Sequence, residues 1–158
     1  MDEVNGVTVR GCLFLTRKSA LKVGTETIGT RMRNITFKDN EVLECDRGIS
    51  VYVSDGARLD HIRYLDNHFV RNFPDQQRKC IHITVNKRNP ESKLGSIHRL
   101  LIRNCTFDNP FPRKSVIRYD GEGIGIDGQV SRLRFGKDRI SSASEPGIDI
   151  KNADIRFR

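Results

Sequence analysis

The chain has no tryptophan, and aromatic residues make up only 7% of its 158 residues. No run of about 18 apolar residues occurs, so no segment reads as a membrane-spanning helix. The cysteines, Cys12, Cys45, Cys80 and Cys105, include no Cys-x-x-Cys spacing, which argues against a zinc site or a thioredoxin-like redox motif. There is no run of five basic residues and no zinc-finger or RNA-binding pattern. No two aspartates are adjacent, no Asp-x-Asp run suggests calcium, and no histidine pair has metal-ligand spacing. The opening residues, Met1 to Gly6, are acidic and poor in apolar side chains, unlike a signal peptide. No stretch carries helical periodicity. Neither a metal nor an organic cofactor is expected.

What is present is charge and repetition. Lys and Arg number 28 against 20 Asp and Glu, a formal charge of +8 that favours anionic partners without choosing among them. The length fits one domain, 1–158, large enough to bury roughly two thirds of its unfolded surface without disulfides.

Internal repeats dominate the sequence. Segments beginning at Val7, Ile35, Ile62, Leu100 and Leu133 each read apolar, x, apolar, two variable residues, then Cys, Asn or Asp, x, apolar. A sixth begins at Ile155. A second short alternation follows in the units, at Leu21-Lys22-Val23, Ile49-Ser50-Val51, Ile81-His82-Ile83, Val116-Ile117-Arg118 and Ile148-Asp149-Ile150. Period-two alternation in short runs predicts strands. Several strands per repeat, stacked at about 4.8 Å, predict an all-β, right-handed parallel β-helix of about five coils. A β-sandwich also has many short strands, but it does not require one pattern to recur in register. Cys12, Asn40, Asn67, Cys105 and Asp138 share one position and predict a ladder at a turn. Cys12 and Cys105 are therefore expected to be buried free thiols. The longest step holds polar, Pro-bearing loops around Asn72–Lys79 and Asn86–Gly95, and the next unit adds Asp108–Lys114. Gly121–Gly128 lacks the Lys-Ser/Thr of a phosphate loop and reads as a glycine-rich turn.

Two stretches carry a family resemblance. Asn5–Phe14 with Ala20–Glu26, and Met32–Phe37 with Cys45–Val51, resemble the polygalacturonase-type glycoside hydrolases of family 28, most closely over residues 4 to 70. The resemblance implies a pectin-lyase-like right-handed β-helix acting on polysaccharide, in an extracellular or periplasmic setting. It implies glycosidic-bond hydrolysis in a longer parent, of which this chain would be the C-terminal part, without the N-terminal cap. An end-to-end homo-oligomer through the first coil is the expected way to cover the open end.

The chain departs from the family where chemistry matters. The adjacent catalytic aspartates would precede the Gly24-Thr25-Glu26 turn and are absent. The Gly-His-Gly would fall near Lys18-Ser19-Ala20, and the Arg-x-Lys at Ser50-Val51-Tyr52, without the expected His or cations. Inverting hydrolysis needs two carboxylates about 6.5–9.5 Å apart. Glu26 and Asp46 on neighbouring coils are the candidate catalytic pair, among Glu26, Glu44, Asp46, Asp120 and Asp149 near the cleft face. Their alternative role is as turn residues bonded to backbone amides or to Arg47.

Alternation assigns the candidate substrate-binding residues. Lys22, Ser50, Tyr52, His82, Thr84, Asp149 and Lys151 are expected to point outward, with Arg118 and Tyr119 nearby. Lys22, His82, Arg118 and Lys151 would form a basic stripe interleaved with Tyr52 and Tyr119, suited to an anionic polysaccharide. The alternatives are a non-catalytic acidic-glycan-binding or structural solenoid, and nucleic-acid binding on the charge alone.

Overall fold

Paired apolar residues two apart, Ile35 and Phe37, Ile62 and Tyr64, Leu100 and Ile102, are buried and turn one strand face inward, while Val7 in the first repeat stays exposed. The structure, a computed structural model, describes residues 2–72, 79–107, 115–120, 130–131, 133–135, 139–140, 148–150 and 155–157. The strands come in successive triplets. The first is β1 (Glu3–Arg10), β2 (Leu13–Leu15) and β3 (Ser19–Gly24), and the second is β4 (Arg31–Lys38), β5 (Glu41–Cys45) and β6 (Arg47–Ser54). The third is β7 (Arg58–Leu65), β8 (His68–Asn72) and β9 (Lys79–Asn86). The fourth is β10 (Ser96–Arg103), β11 (Thr106–Phe107) and β12 (Ser115–Asp120). Short strands follow: β13 (Val130–Ser131), β14 (Leu133–Phe135), β15 (Arg139–Ile140), β16 (Ile148–Ile150) and β17 (Ile155–Phe157).

Each triplet visits three parallel sheets in turn. Sheet A runs β1-β4-β7-β10-β14-β17, with β13 also on β10; sheet B runs β2-β5-β8-β11-β15; sheet C runs β3-β6-β9-β12-β16. The chain is thus all-β with parallel sheets, as a β-helix-like solenoid requires, and no helix among the described residues is long and apolar enough to cross a membrane.

The repeat read from the sequence is the register of sheet A. Val7 pairs with Ile35, Ile35 with Ile62, Ile62 with Leu100, and Leu133 with Ile155. Identical inward columns stack in sheet C, where Leu21, Ile49 and Ile81 align, as do Val23, Val51 and Ile83. All six are buried, and each such side chain contributes about 1.5–3 kcal/mol relative to exposure. Phe37 and Tyr64 stack across adjacent strands with centroids 5.1 Å apart and rings within 3° of parallel. The Tyr64 hydroxyl is buried without a hydrogen-bond partner, and burial pushes its pKa up.

The predicted ladder stands at the corner between sheets A and B. Asn67 Oδ1 accepts from the Asn40 amide at 3.2 Å and from Asn40 Nδ2 at 2.9 Å. Asn40 Oδ1 accepts from the Cys12 amide at 3.0 Å, while Asn40 Nδ2 donates to the Val9 carbonyl and Asn67 Nδ2 to the Phe37 carbonyl, each at 3.0 Å. Asn67 Nδ2 also lies 3.8 Å from Cys105 Sγ. Cys105 is a buried free thiol, but Cys12 is exposed, because its triplet lies at the edge of the stack. Asp138 lies outside the described residues.

Asp55 anchors the polar loop between β9 and β10. Its Oδ1 accepts from the Arg88 amide (2.8 Å), the Asn89 amide (3.0 Å) and the Ser92 hydroxyl (2.7 Å). The Ser92 and Asn89 hydrogen bonds, helped by Arg88, hold the carboxyl below its usual range against the opposing effect of burial. The loop segments 73–78 and 108–114, and the glycine-rich turn 121–128, lie outside the described residues.

Two outcomes are expected. Asn67→Ala removes the acceptor of a buried main-chain amide, so urea denaturation should show a loss of about 1–3 kcal/mol. Asp55 has a folded pKa below its unfolded value of about 3.9, so its contribution is present above that pH and is lost as pH falls through the folded pKa. Hydrogen exchange should therefore show the Arg88 and Asn89 amides losing protection below about pH 4, ahead of the core strands.

Candidate functional site

Sheet C presents the candidate face. On β6 the alternation buries Ile49, Val51 and Val53 and directs Tyr52 outward to a half-buried position. Gly24 makes that position available: its φ is +86°, and a Cβ there would lie 1.9 Å from the Tyr52 carbonyl oxygen. Only glycine lets β3 end against β6 at this point.

Tyr52 is the hub of a polar cluster. Arg47 Nη1 donates to the Tyr52 hydroxyl at 2.8 Å, and that hydroxyl lies 2.9 Å from His82 Nδ1. The Tyr52 hydroxyl also lies 3.5 Å from Ser50 Oγ, so both Ser50 and His82 stand within reach of its proton. The His82 ring meets the Tyr52 ring edge-on, at 86° and 5.1 Å. Lys22 Nζ sits 6.0 Å from the Tyr52 centroid, at the outer limit of a cation–π contact. Beneath the ring, Ser50 Oγ donates to Ser19 Oγ at 3.0 Å.

Asp46 belongs to the inner side of this cluster. It is only 1% exposed, and Arg47 Nε donates to it at 2.7 Å. Burial alone would lower the Arg47 pKa, but the Tyr52 and Asp46 interactions outweigh it and raise it, so the guanidinium stays charged. Asp46 thus fixes the arginine that fixes the tyrosine.

The two candidate catalytic carboxylates do not come together. The Asp46 amide bonds the Lys18 carbonyl at the start of the β3–β6 pair, whereas Glu26 lies beyond Gly24, the partner of Tyr52, at the other end. Strand length alone separates them by roughly 20 Å. Glu26 is 80% exposed and pairs with Arg88 at 3.0 Å.

The expected basic stripe is also broken. Lys22 pairs with Ser50 and Ser50 with His82, as read from the sequence, but Ser50 is buried. The fourth triplet is shifted by one residue: Val116 pairs with His82 and with Asp149, Ile117 with Ile83, and Ser115 with Ile148. Arg118 therefore stands in the column of Thr84 and Tyr52, and Tyr119 in the column of Val85 and Val53. Lys151 lies outside the described residues. The alternative reading of Asp46, as a turn residue bonded to Arg47, is the one the structure shows; the further contact of Arg47 with Tyr52 was not read from the sequence. Among the described residues no group of three or more His, Cys, Asp or Glu is placed to hold a metal ion.

Gly24→Ala is expected to push β3 from β6 and displace Tyr52. Tyrosine fluorescence should change and the melting temperature should fall by several degrees, corresponding to about 1–3 kcal/mol.

Comparisons with protein-family models, with curated proteins and with solved structures found no match.

Proposed function

We propose that this chain is a right-handed parallel β-helix of about five coils, polysaccharide-active and akin to polygalacturonase-type glycoside hydrolases. Its described part serves to bind an acidic glycan, and bond cleavage would belong to a longer parent. The observation that carries this reading is the Tyr52 ring, held on an outward sheet face by Arg47 and His82 with Lys22 beside it. A fixed aromatic ring stacks on the apolar face of a pyranose at little conformational cost. The Lys22 ammonium supplies donors for a carboxylate or hydroxyl. Binding is favoured over hydrolysis because Glu26 and Asp46 are separated by roughly 20 Å, against the roughly 5–9.5 Å that either stereochemical route needs. Asp46 is moreover already engaged by Arg47.

The test is titration with short galacturonate oligomers, alongside a reducing-end assay. Binding without new reducing ends is expected, with Tyr52→Ala weakening it by roughly tenfold. Reducing ends that disappear in Asp46→Asn would replace binding by hydrolysis. Oligomer binding unchanged in Tyr52→Ala would remove this site.

A further inference from the structure

Two arginines stand side by side at the entry to sheet A without a counter-charge. The register sets Arg31 of β4 beside Arg58 of β7, with Glu3 on one side of the pair and Ser96 on the other. Both arginines are exposed, and neither forms an ion pair among the described residues. The carboxylates beside them in the register are engaged elsewhere. Glu3 meets Arg33, and Asp60 accepts from Arg99 through both of its oxygens, with His61 Nδ1 a further 3.2 Å from Oδ2. Like charges side by side on neighbouring strands repel, so the pair carries a cost that no described carboxylate offsets.

The pair lines a groove of about 540 Å³, together with Leu59, Leu94, Ser96 and His98. One wall is the loop between β9 and β10, and that wall is fixed at two points. Asp55 Oδ1 holds the Arg88 and Asn89 amides and the Ser92 hydroxyl. Further along, Gly95 packs so closely on the preceding triplet that a Cβ there would lie 2.4 Å from the Ala57 carbonyl oxygen and from Val53 Cγ1. Any larger residue would push the wall away from Arg58. Leu59 is buried and Leu94 half-buried, so the groove has an apolar side opposite its charge. Its volume exceeds what a lone oxyanion fills and lies in the range of small-molecule sites.

We propose that this groove binds a small phosphate monoester, its phosphoryl group held between Arg31 and Arg58 and its organic part against Leu94. The site stands apart from the Tyr52 face and does not rest on the reading given for it. A phosphate monoester carries nearly two negative charges at neutral pH, which matches two guanidinium groups. Neighbouring strands lie about 4.8 Å apart, a gap that one tetrahedral group can bridge. Its three free oxygens serve both guanidinium forks and leave an acceptor for the Ser96 hydroxyl. A carboxylate or a sulfate ester brings a single charge and leaves one guanidinium unmatched. A phosphodiester has the same shortfall, and no Phe or Tyr lines the groove to stack a nucleic-acid base.

The test is calorimetric titration with a hexose 6-phosphate, the free hexose, inorganic phosphate and acetate, all at one ionic strength. The sugar phosphate is expected to bind saturably and at least tenfold more tightly than acetate or the free hexose. Arg31→Gln and Arg58→Gln should each weaken it by roughly tenfold, whereas Arg63→Gln, exposed on the same sheet outside the groove, should leave it unchanged. Without ligand, the melting temperature of Arg58→Gln should hold or rise, because a repulsion is removed. A fall in that temperature would overturn the claim that the pair is kept for an anion. Absence of saturable binding, or equal binding by Arg31→Gln/Arg58→Gln, overturns the site. Acetate binding as tightly as the phosphates, or Arg63→Gln weakening them equally, reduces the effect to general surface charge and also overturns it. Inorganic phosphate binding more tightly than the sugar phosphate removes the role of the organic part. A short single-stranded oligonucleotide that outcompetes the sugar phosphate overturns the monoester assignment.

Discussion

The Asn40–Asn67 ladder is the constraint on which the rest of the structure depends. Each carboxamide oxygen accepts from the main chain of the neighbouring triplet, and each carboxamide nitrogen returns to a carbonyl of the preceding one. These bonds are buried, so a misplaced partner would leave polar groups without water. The ladder therefore fixes which residue of one triplet lies over which residue of the next. Stacked Ile and Val columns, the Phe37–Tyr64 stack, the Tyr52–His82 contact and the Arg31–Arg58 juxtaposition all follow from that one alignment.

Much of this was legible in the sequence because a β-strand repeats every two residues and the corner residue recurs once per triplet. Val7, Ile35, Ile62 and Leu100 were found in the right register for that reason. The fourth triplet was harder to read. Ser115-Val116-Ile117 offers two apolar neighbours in sequence, and alternation alone cannot say which one faces inward; pairing sets Ile117 over Ile83. The Arg31–Arg58 juxtaposition was illegible for a different reason: the two residues are far apart in the sequence and become neighbours only across the β4–β7 pair. The carboxylates show the repeat applied too loosely: aligning Leu21 with Ile49 already sets Asp46 level with Lys18, eight residues before Glu26, so lying on neighbouring coils did not bring the pair together.

The outward faces of sheets A and C solve the polar-surface problem in opposite ways. Around Tyr52 the charges and dipoles are matched internally, from Asp46 through Arg47 and the phenol to His82. That arrangement holds a ring in place and leaves little excess charge. On sheet A, Asp60 and Asp39 each neutralise a neighbouring cation and leave others unmatched. The first fixes the orientation of a ring, and the second leaves positive charge in excess.

The left-handed residues of the backbone bear on how such a chain finds its alignment. Gly6, Asn34, His61 and Arg99 all have positive φ and lie one above another in the middle of sheet A, and Gly11, Asp39, Asp66 and Asn104 repeat the feature just before the ladder. In three of the four sheet A strands the residue after the bend is a buried Ile or Leu: Ile35, Ile62 or Leu100. A slip of one residue would either set a bend against an extended neighbour or force a branched side chain into the left-handed region, at a cost of about 1–3 kcal/mol each time. Two such bends per triplet make a one-residue slip of any rung costly at two separate places, so the backbone penalises a wrong register even where the side chains would tolerate it.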